Sequence, residues 1–350
     1  MSIYKTFFVP PVGSSESSDI LADIKDTISS GMWAEGSGTL TAYYTSSTQS
    51  SSNGQYYLDV YAANPSTDSS AQPQFSIAYA HFNGSGSAGA VGVDGKRASA
   101  AVYRQLANTL LGPTETQFVF GGSGAHTTPD YVYAISIARQ QLREKMDPGN
   151  WELEITGSGA TTIKLIDDSG ATTNPSVNTG GRVFNIYSGS IATGTAVTGT
   201  AVADQPGGAY GLFYPDVGLI ILNGPVLNAS ASLSTGVASN TEGGNVGKFW
   251  NAISGSLPNK FQARREEVIT SQHYFCRVPN RQFNFSANPT YTSGSDGTMA
   301  ISSMINNPKS YITQVGLYND ANELLAVAKL SKPLLKSFSR EAIIKVKLDF

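Results

Sequence analysis

Residues 151–187 read WELEITGSGATTIKLIDDSGATTNPSVNTGGRVFNIY. Three apolar-rich stretches, WELEIT (151–156), TIKLID (162–167) and RVFNIY (182–187), are separated by Gly, Ser, Asp and Asn, the residues that favour turns. Short strands joined by turns point to an antiparallel sheet. The same pattern extends outward. In QYYLDVY (55–61), Tyr56, Leu58 and Val60 alternate with Tyr57, Asp59 and Tyr61, a period of two. FSIAYAHF (75–82), TQFVF (116–120), YVYAISIA (131–138) and SQHYFCRV (271–278) are strand-like too. GLFYPDVGLIILNG (211–224) reads as a hairpin that turns at Pro215-Asp216. YITQVGLY (311–318) and ELLAVAKL (323–330) flank the turn Asn319-Asp320-Ala321-Asn322. In REAIIKVKLDF (340–350), Ile344, Val346, Leu348 and Phe350 alternate with Ile343, Lys345, Lys347 and Asp349, which predicts a strand with its Ile344, Val346 and Leu348 face buried.

Helices are few. Ile20, Ile24 and Ile28 share a helical face between a cap at Ser18 or Asp19 and a stop at Gly31. KRASAAVYRQLANTLL (96–111) predicts a helix with Ala98, Val102, Leu106 and Leu110 buried, ended by Gly112-Pro113. IARQQLREKM (137–146) is read as helical up to Asp147-Pro148-Gly149. The expected fold is therefore α+β and β-rich: mixed sheets of short antiparallel strands, a few short helices and long irregular loops. Three regions are expected. Residues 1–54 form a leader, short helix and linker, and 55–260 a mixed α/β body. The body carries an exposed Gly/Thr-rich loop at 188–204, where TGTAV occurs twice in tandem. Residues 261–350 form a C-terminal β domain.

Composition narrows the function. The 350 residues carry 23 Lys and Arg against 26 Asp and Glu, and only 14% are charged. No global positive field exists to hold a nucleic-acid backbone, so no nucleic-acid partner is expected. A hydrophobic fraction of 40% suffices for a core. The single cysteine, Cys276, leaves no intrachain disulfide and no multi-cysteine metal site. The first residues lack a basic region and a cleavage site, so no signal peptide is expected, and no apolar run is long enough for membrane insertion.

Patterns that carry chemistry fail on inspection. Gly84-Ser85-Gly86-Ser87-Ala88-Gly89 follows a strand as a dinucleotide loop does, but no helix opens directly behind it to face a pyrophosphate. Gly92-Val93-Asp94-Gly95-Lys96-Arg97 misses the phosphate loop, with Ala90 at its first glycine and Arg97 at the magnesium-binding hydroxyl. His81, His126 and His273 lie in separate segments, and strand spacing puts His273 and Cys276 on opposite faces. Asp167-Asp168 and Asp216 sit in turns, where Asp is expected for turn geometry alone. The tyrosines Tyr43, Tyr44, Tyr56, Tyr57, Tyr61 and Tyr79 read chiefly as cross-strand packing and secondarily as a contact surface. No catalytic residue, cofactor or metal is expected.

Several stretches carry a family resemblance: PDYVYAISIARQQLREKMDPGNWELEI (129–155) with GLFYPDVGLIILNG, and HYFCRVPNRQFNFSANPTY (273–291) with NNPKSYITQVGLYNDANELLAVAKLSKPLLKSFSREAIIKVKLDF (306–350). Together they resemble the virion structural proteins of contractile-tailed bacteriophages, in particular tail and baseplate proteins of the cyanophage-like branch. The resemblance covers about half of the chain and is strongest at the C-terminus. It implies a non-enzymatic subunit of the baseplate wedge, assembled in the host cytoplasm into the virion tail and held by other tail subunits or by copies of itself. A receptor-binding or adhesin module of the tail is the alternative. Phe283, Phe285 and Tyr291, in a turn-rich stretch between strands, are the expected assembly contacts, since buried aromatics dominate interface energies.

Overall fold

The computed structural model describes residues 20–46, 56–86, 98–121, 126–157, 162–170, 175–191, 210–233, 244–255, 259–284 and 289–349. It has the β-rich α+β architecture expected from the sequence. Contacts divide it into two compact units, Ile28–Glu267 and the residues up to Thr27 together with those from Val268 onward.

The larger unit is an antiparallel sheet. It starts from the 261–266 part of the Phe261–Val278 strand. It continues through Lys145–Thr156, Thr162–Asp167, Gly181–Ser188, Gly211–Tyr214, Leu219–Asn223, Tyr131–Ile137, Pro73–His81, Tyr57–Tyr61 and Tyr44–Ser46. The hairpin at Pro215-Asp216 forms as expected, with Tyr214 opposite Leu219.

Alternation assigns each strand's side chains to two apolar layers. Tyr133, Ile135 and Ile137 face one layer with Phe75, Ile77, Ile220, Leu222 and Phe213. Val132, Ala134 and Ile221 face the other. The sheet curls around the first layer, so strands distant in sheet order meet there through their aromatic rings. Helix Asn245–Ser254 packs into this layer, with Phe249 stacked on Tyr133 at 4.7 Å. Helix Ala98–Leu110 covers the second, against Phe118 and Phe120.

Four local expectations are corrected. Ile20–Gly31 is a strand, not a helix. The i, i+4 spacing of Ile20, Ile24 and Ile28 also fits a two-residue period. Gly31 is required for close approach, since a Cβ there would lie 2.0 Å from the Gly36 carbonyl oxygen. The predicted helix 137–146 is one turn, Arg139–Leu142. The chain then runs as strand straight through Asp147-Pro148-Gly149, because burying Met146 and Trp151 in the sheet outweighs local helix preference. Gly149, at φ 80°, takes the bend after Pro148 and donates its N–H to Asp167 Oδ2 at 2.9 Å. The buried stripe of Ala98–Leu110 is Ser99, Ala100, Tyr103, Ala107 and Leu110, rotated from the expected one. The large Tyr103 ring sets the rotation by packing on Phe118 and Phe82. Of TQFVF, strand forms only from Phe120. Most of the 188–204 loop lies outside the described residues.

Candidate assembly interface

The smaller unit is built on the 268–278 part of the long strand. Ser271–Val278 pairs antiparallel with Ala342–Asp349. Val346 lies opposite Tyr274, and Ile344 opposite Cys276. Ala342, Ile344 and Val346 are buried as the alternation predicts, whereas Leu348, expected buried, is half-buried near the end of the strand. On the other face Ile343, Lys345 and Lys347 are exposed, with Lys345 Nζ 5.6 Å from the centre of the Phe275 ring.

Ser310–Tyr318 and Leu324–Lys336 form a hairpin that is a two-stranded sheet. Its turn is the one read from the sequence. Asn319 Oδ1 accepts the Glu323 N–H at 2.8 Å, and Asn319 Nδ2 donates to Glu323 Oε2 at 2.7 Å. Asn322 sits at φ 62°, a left-handed conformation that asparagine tolerates. At the root, Lys336 is fully buried and donates to the Asn280 carbonyl at 3.1 Å and to Asn284 Oδ1. Burial holds its ammonium below the usual lysine range. Asn280 Nδ2 in turn donates to the Phe338 carbonyl at 2.9 Å.

Of the expected contact residues, Phe283 lies half-buried at this root with φ 58°, and its carbonyl accepts Ser310 Oγ at 3.1 Å. Tyr291 is buried in its own unit, in a short 3-10 turn beside the Thr292–Ser293 and Thr298–Met299 pair; its hydroxyl lies 3.9 Å from Met299 Sδ. Phe285 lies outside the described residues.

The structure brings forward a different set. Ile305, Tyr311, Leu325, Val327, Phe338 and Ile343 are all at least half exposed in this one unit. None of the described residues in the three buried apolar clusters belongs to it. Isolated surface apolar residues are normal, but this many in a unit without an apolar cluster is not. A two-stranded hairpin alone is at best marginally stable in water. The sequence signal for this set was present: ELLAVAKL carries apolar residues on both strand faces, where a half-buried strand shows one.

Asp167, Asp168, Asp216, His81 and His126, weighed for chemistry, lie in the larger unit and each has a structural partner; His273 and Cys276 lie in the smaller one, opposite Lys347 and Ile344. Asp167 accepts the N–H groups of Gly149 and Ser169, while burial pushes its carboxyl up. Asp168 accepts both the backbone and side-chain N–H groups of Asn185, at 2.9 and 3.1 Å. Asp216 pairs with Arg182 at 2.8 Å. His81 Nδ1 accepts the Asn83 N–H at 3.0 Å, and His126 is in a short ladder opposite Gly121. The Gly86 carbonyl accepts Asn245 Nδ2 at 2.8 Å; the rest of both glycine motifs lies outside the described residues. Tyr79 and Tyr133 sit 5.6 Å apart edge to face in the core, and burial pushes both phenols up. Among the described residues, no three His, Cys, Asp or Glu side chains converge as metal ligands, and no helix is long and apolar enough to cross a membrane.

Compared with known proteins, the chain matches no family model, no curated protein and no solved structure.

Proposed function

We propose that the chain is a non-enzymatic structural subunit of a contractile phage tail, most specifically a baseplate wedge component that joins neighbouring subunits. One observation carries this reading. The unit from Val268 onward exposes large apolar side chains and holds no buried apolar cluster among its described residues. Such a unit gains little from its own burial, and a partner that covers it supplies the missing apolar contact. The two stretches in which the resemblance is strongest, 273–291 and 306–350, both fall in this unit. A role through contact also suits a chain with 14% charge, which joins partners by backbone edges and apolar anchors, not by many ion pairs.

Mass spectrometry of purified particles, with electron microscopy of tails labelled by an antibody to residues 310–336, tests the proposal. The chain should co-purify at fixed stoichiometry and the label should decorate the tail end. A chain found in infected-cell lysate but absent from purified particles overturns it.

A further inference from the structure

Lys336 is fully buried at the hairpin root, and among the described residues no carboxylate pairs with it. Its Nζ has two partners, the Asn280 carbonyl at 3.1 Å and Asn284 Oδ1. Two acceptors use the two hydrogens of a neutral amine. The extra hydrogen of an ammonium finds no third acceptor among the described residues. A buried charge without a counter-charge is costly, so this setting favours the neutral amine, which keeps its lone pair. A lysine amine desolvated in this way is a nucleophile.

An electrophile lies against it. Asn284 Oδ1 is the oxygen of a carboxamide, and the carbon it is bonded to, Cγ, is the atom an amine attacks. The nitrogen of the same carboxamide, Asn284 Nδ2, donates to the Asn280 carbonyl at 2.8 Å. One carbonyl oxygen therefore holds both the attacking nitrogen and the nitrogen that would leave. The backbone on either side is fixed as well. Ser310 lies opposite Lys336 in the hairpin register, and its Oγ donates to the carbonyl of Phe283, the residue before Asn284, at 3.1 Å. Holding two reacting groups together in this way replaces a bimolecular encounter by an intramolecular one.

We propose that Lys336 and Asn284 join in an intramolecular isopeptide bond, and that the hydrogen bonds described above are those of the pair before it reacts. The lone pair of Nζ attacks Asn284 Cγ and forms the Nζ–Cγ bond. The Cγ–Nδ2 bond breaks, one proton passes from Nζ to Nδ2, and ammonia leaves; nothing is oxidised or reduced. The new amide closes the chain from 284 to 336 into a loop at the hairpin root. In a unit with no buried apolar cluster among its described residues, such a closure stabilises as a disulfide does, by narrowing the unfolded ensemble. The inference does not depend on the tail reading, because it is tested on the purified chain alone. Intact-mass measurement, on chain kept at mildly alkaline pH until its mass is constant, reads the reaction. The parent should weigh less than its sequence by one ammonia. Trypsin does not cut after an acylated lysine, so residues 282–309 and 330–340 should be recovered as one branched species, uncut at Lys336. Lys336→Arg and Asn284→Ala should each keep the full mass of their own sequence. The branched species is read on the parent, so a variant that fails to fold leaves the result standing. A parent with the full mass of its sequence overturns the proposal. So does an ammonia loss that maps elsewhere, as to a succinimide at Asn83-Gly84 or Asn223-Gly224, or that persists in Asn284→Ala.

Discussion

The ring of Phe75 meets the ring of Phe261 edge to face at 5.4 Å, although the strands between them in the sheet run through Lys145–Thr156, Thr162–Asp167, Gly181–Ser188, Gly211–Tyr214, Leu219–Asn223 and Tyr131–Ile137. Trp33 bridges the two, at 5.8 Å from Phe75 and 4.7 Å from Phe261, and donates its indole N–H to the Phe261 carbonyl at 2.7 Å. This aromatic group is where the curled sheet closes on itself.

Phe75→Ala and Phe261→Ala should therefore each destabilise the larger unit by about 3–5 kcal/mol. Their combination should cost about 1 kcal/mol less than the sum, since each single change already removes the shared ring contact. Denaturant titration of the two single variants and the double variant measures both terms. Strict additivity would mean that the rings do not support each other.

Asp216 gives a pH dependence. Burial acts to raise its pKa, but the hydrogen bonds and charge of Arg182 outweigh this and hold the carboxyl below the usual range. A carboxylate with a lowered folded pKa contributes stability that is present above its unfolded value and is lost as pH falls through the folded one. Melting temperature should thus drop on acidification below about pH 4, the ordinary aspartate range. Asp216→Asn should be less stable than the parent at neutral pH and show a shallower acid decline. The difference between the two melting curves should close at the acid end.

The terminal strand separates buried from exposed positions one residue apart. Val346→Asp places an unpaired charge in a buried site and should cost about 3 kcal/mol or more. Ile343→Asp, on the exposed face, should change stability by no more than about 0.5 kcal/mol. Equal effects in thermal melts would contradict the burial assigned to this strand.

Lys336 anchors the hairpin root. Lys336→Met removes both hydrogen bonds to the 280–284 turn and leaves the Asn280 carbonyl without this donor, at a cost of about 2 kcal/mol. The effect should be local. Amide exchange should accelerate across 310–336 while the Tyr131–Ile137 strand keeps its protection. Unchanged exchange in the hairpin would show that its root is held by other contacts.

The sequence showed strands and turns well where one face is buried. WELEIT, TIKLID, RVFNIY and the Pro215-Asp216 hairpin alternate because the curled sheet has two distinct environments, and the sequence pattern records both. It misled at Ile20–Gly31, where a four-residue spacing fits helix and strand alike. It misled again at Asp147-Pro148-Gly149, where Asp167, eighteen residues downstream, accepts the Gly149 N–H and supports a bend that local rules read as a stop. The closure at Phe75 and Phe261 joins residues far apart in the chain and leaves no local pattern. The exposed apolar set was legible by region but not by residue. FNFSANPTY drew notice for its aromatics, yet Tyr291 packs within its own unit, while the apolar residues on both faces of ELLAVAKL were read only as a strand. A sequence pattern reports which side chains are apolar; it does not report which of them the chain itself covers.

The closure of the larger sheet has a kinetic consequence. Phe261 must leave the ribosome before the Trp33–Phe75–Phe261 group can form, so the larger sheet cannot close before its last strand has been made. Because synthesis runs from the N-terminus, residues 310–336 emerge only after every strand of that sheet has been made. The exposed apolar hairpin thus reaches solvent late, when the strands of the larger sheet have already been given the chance to pair with one another.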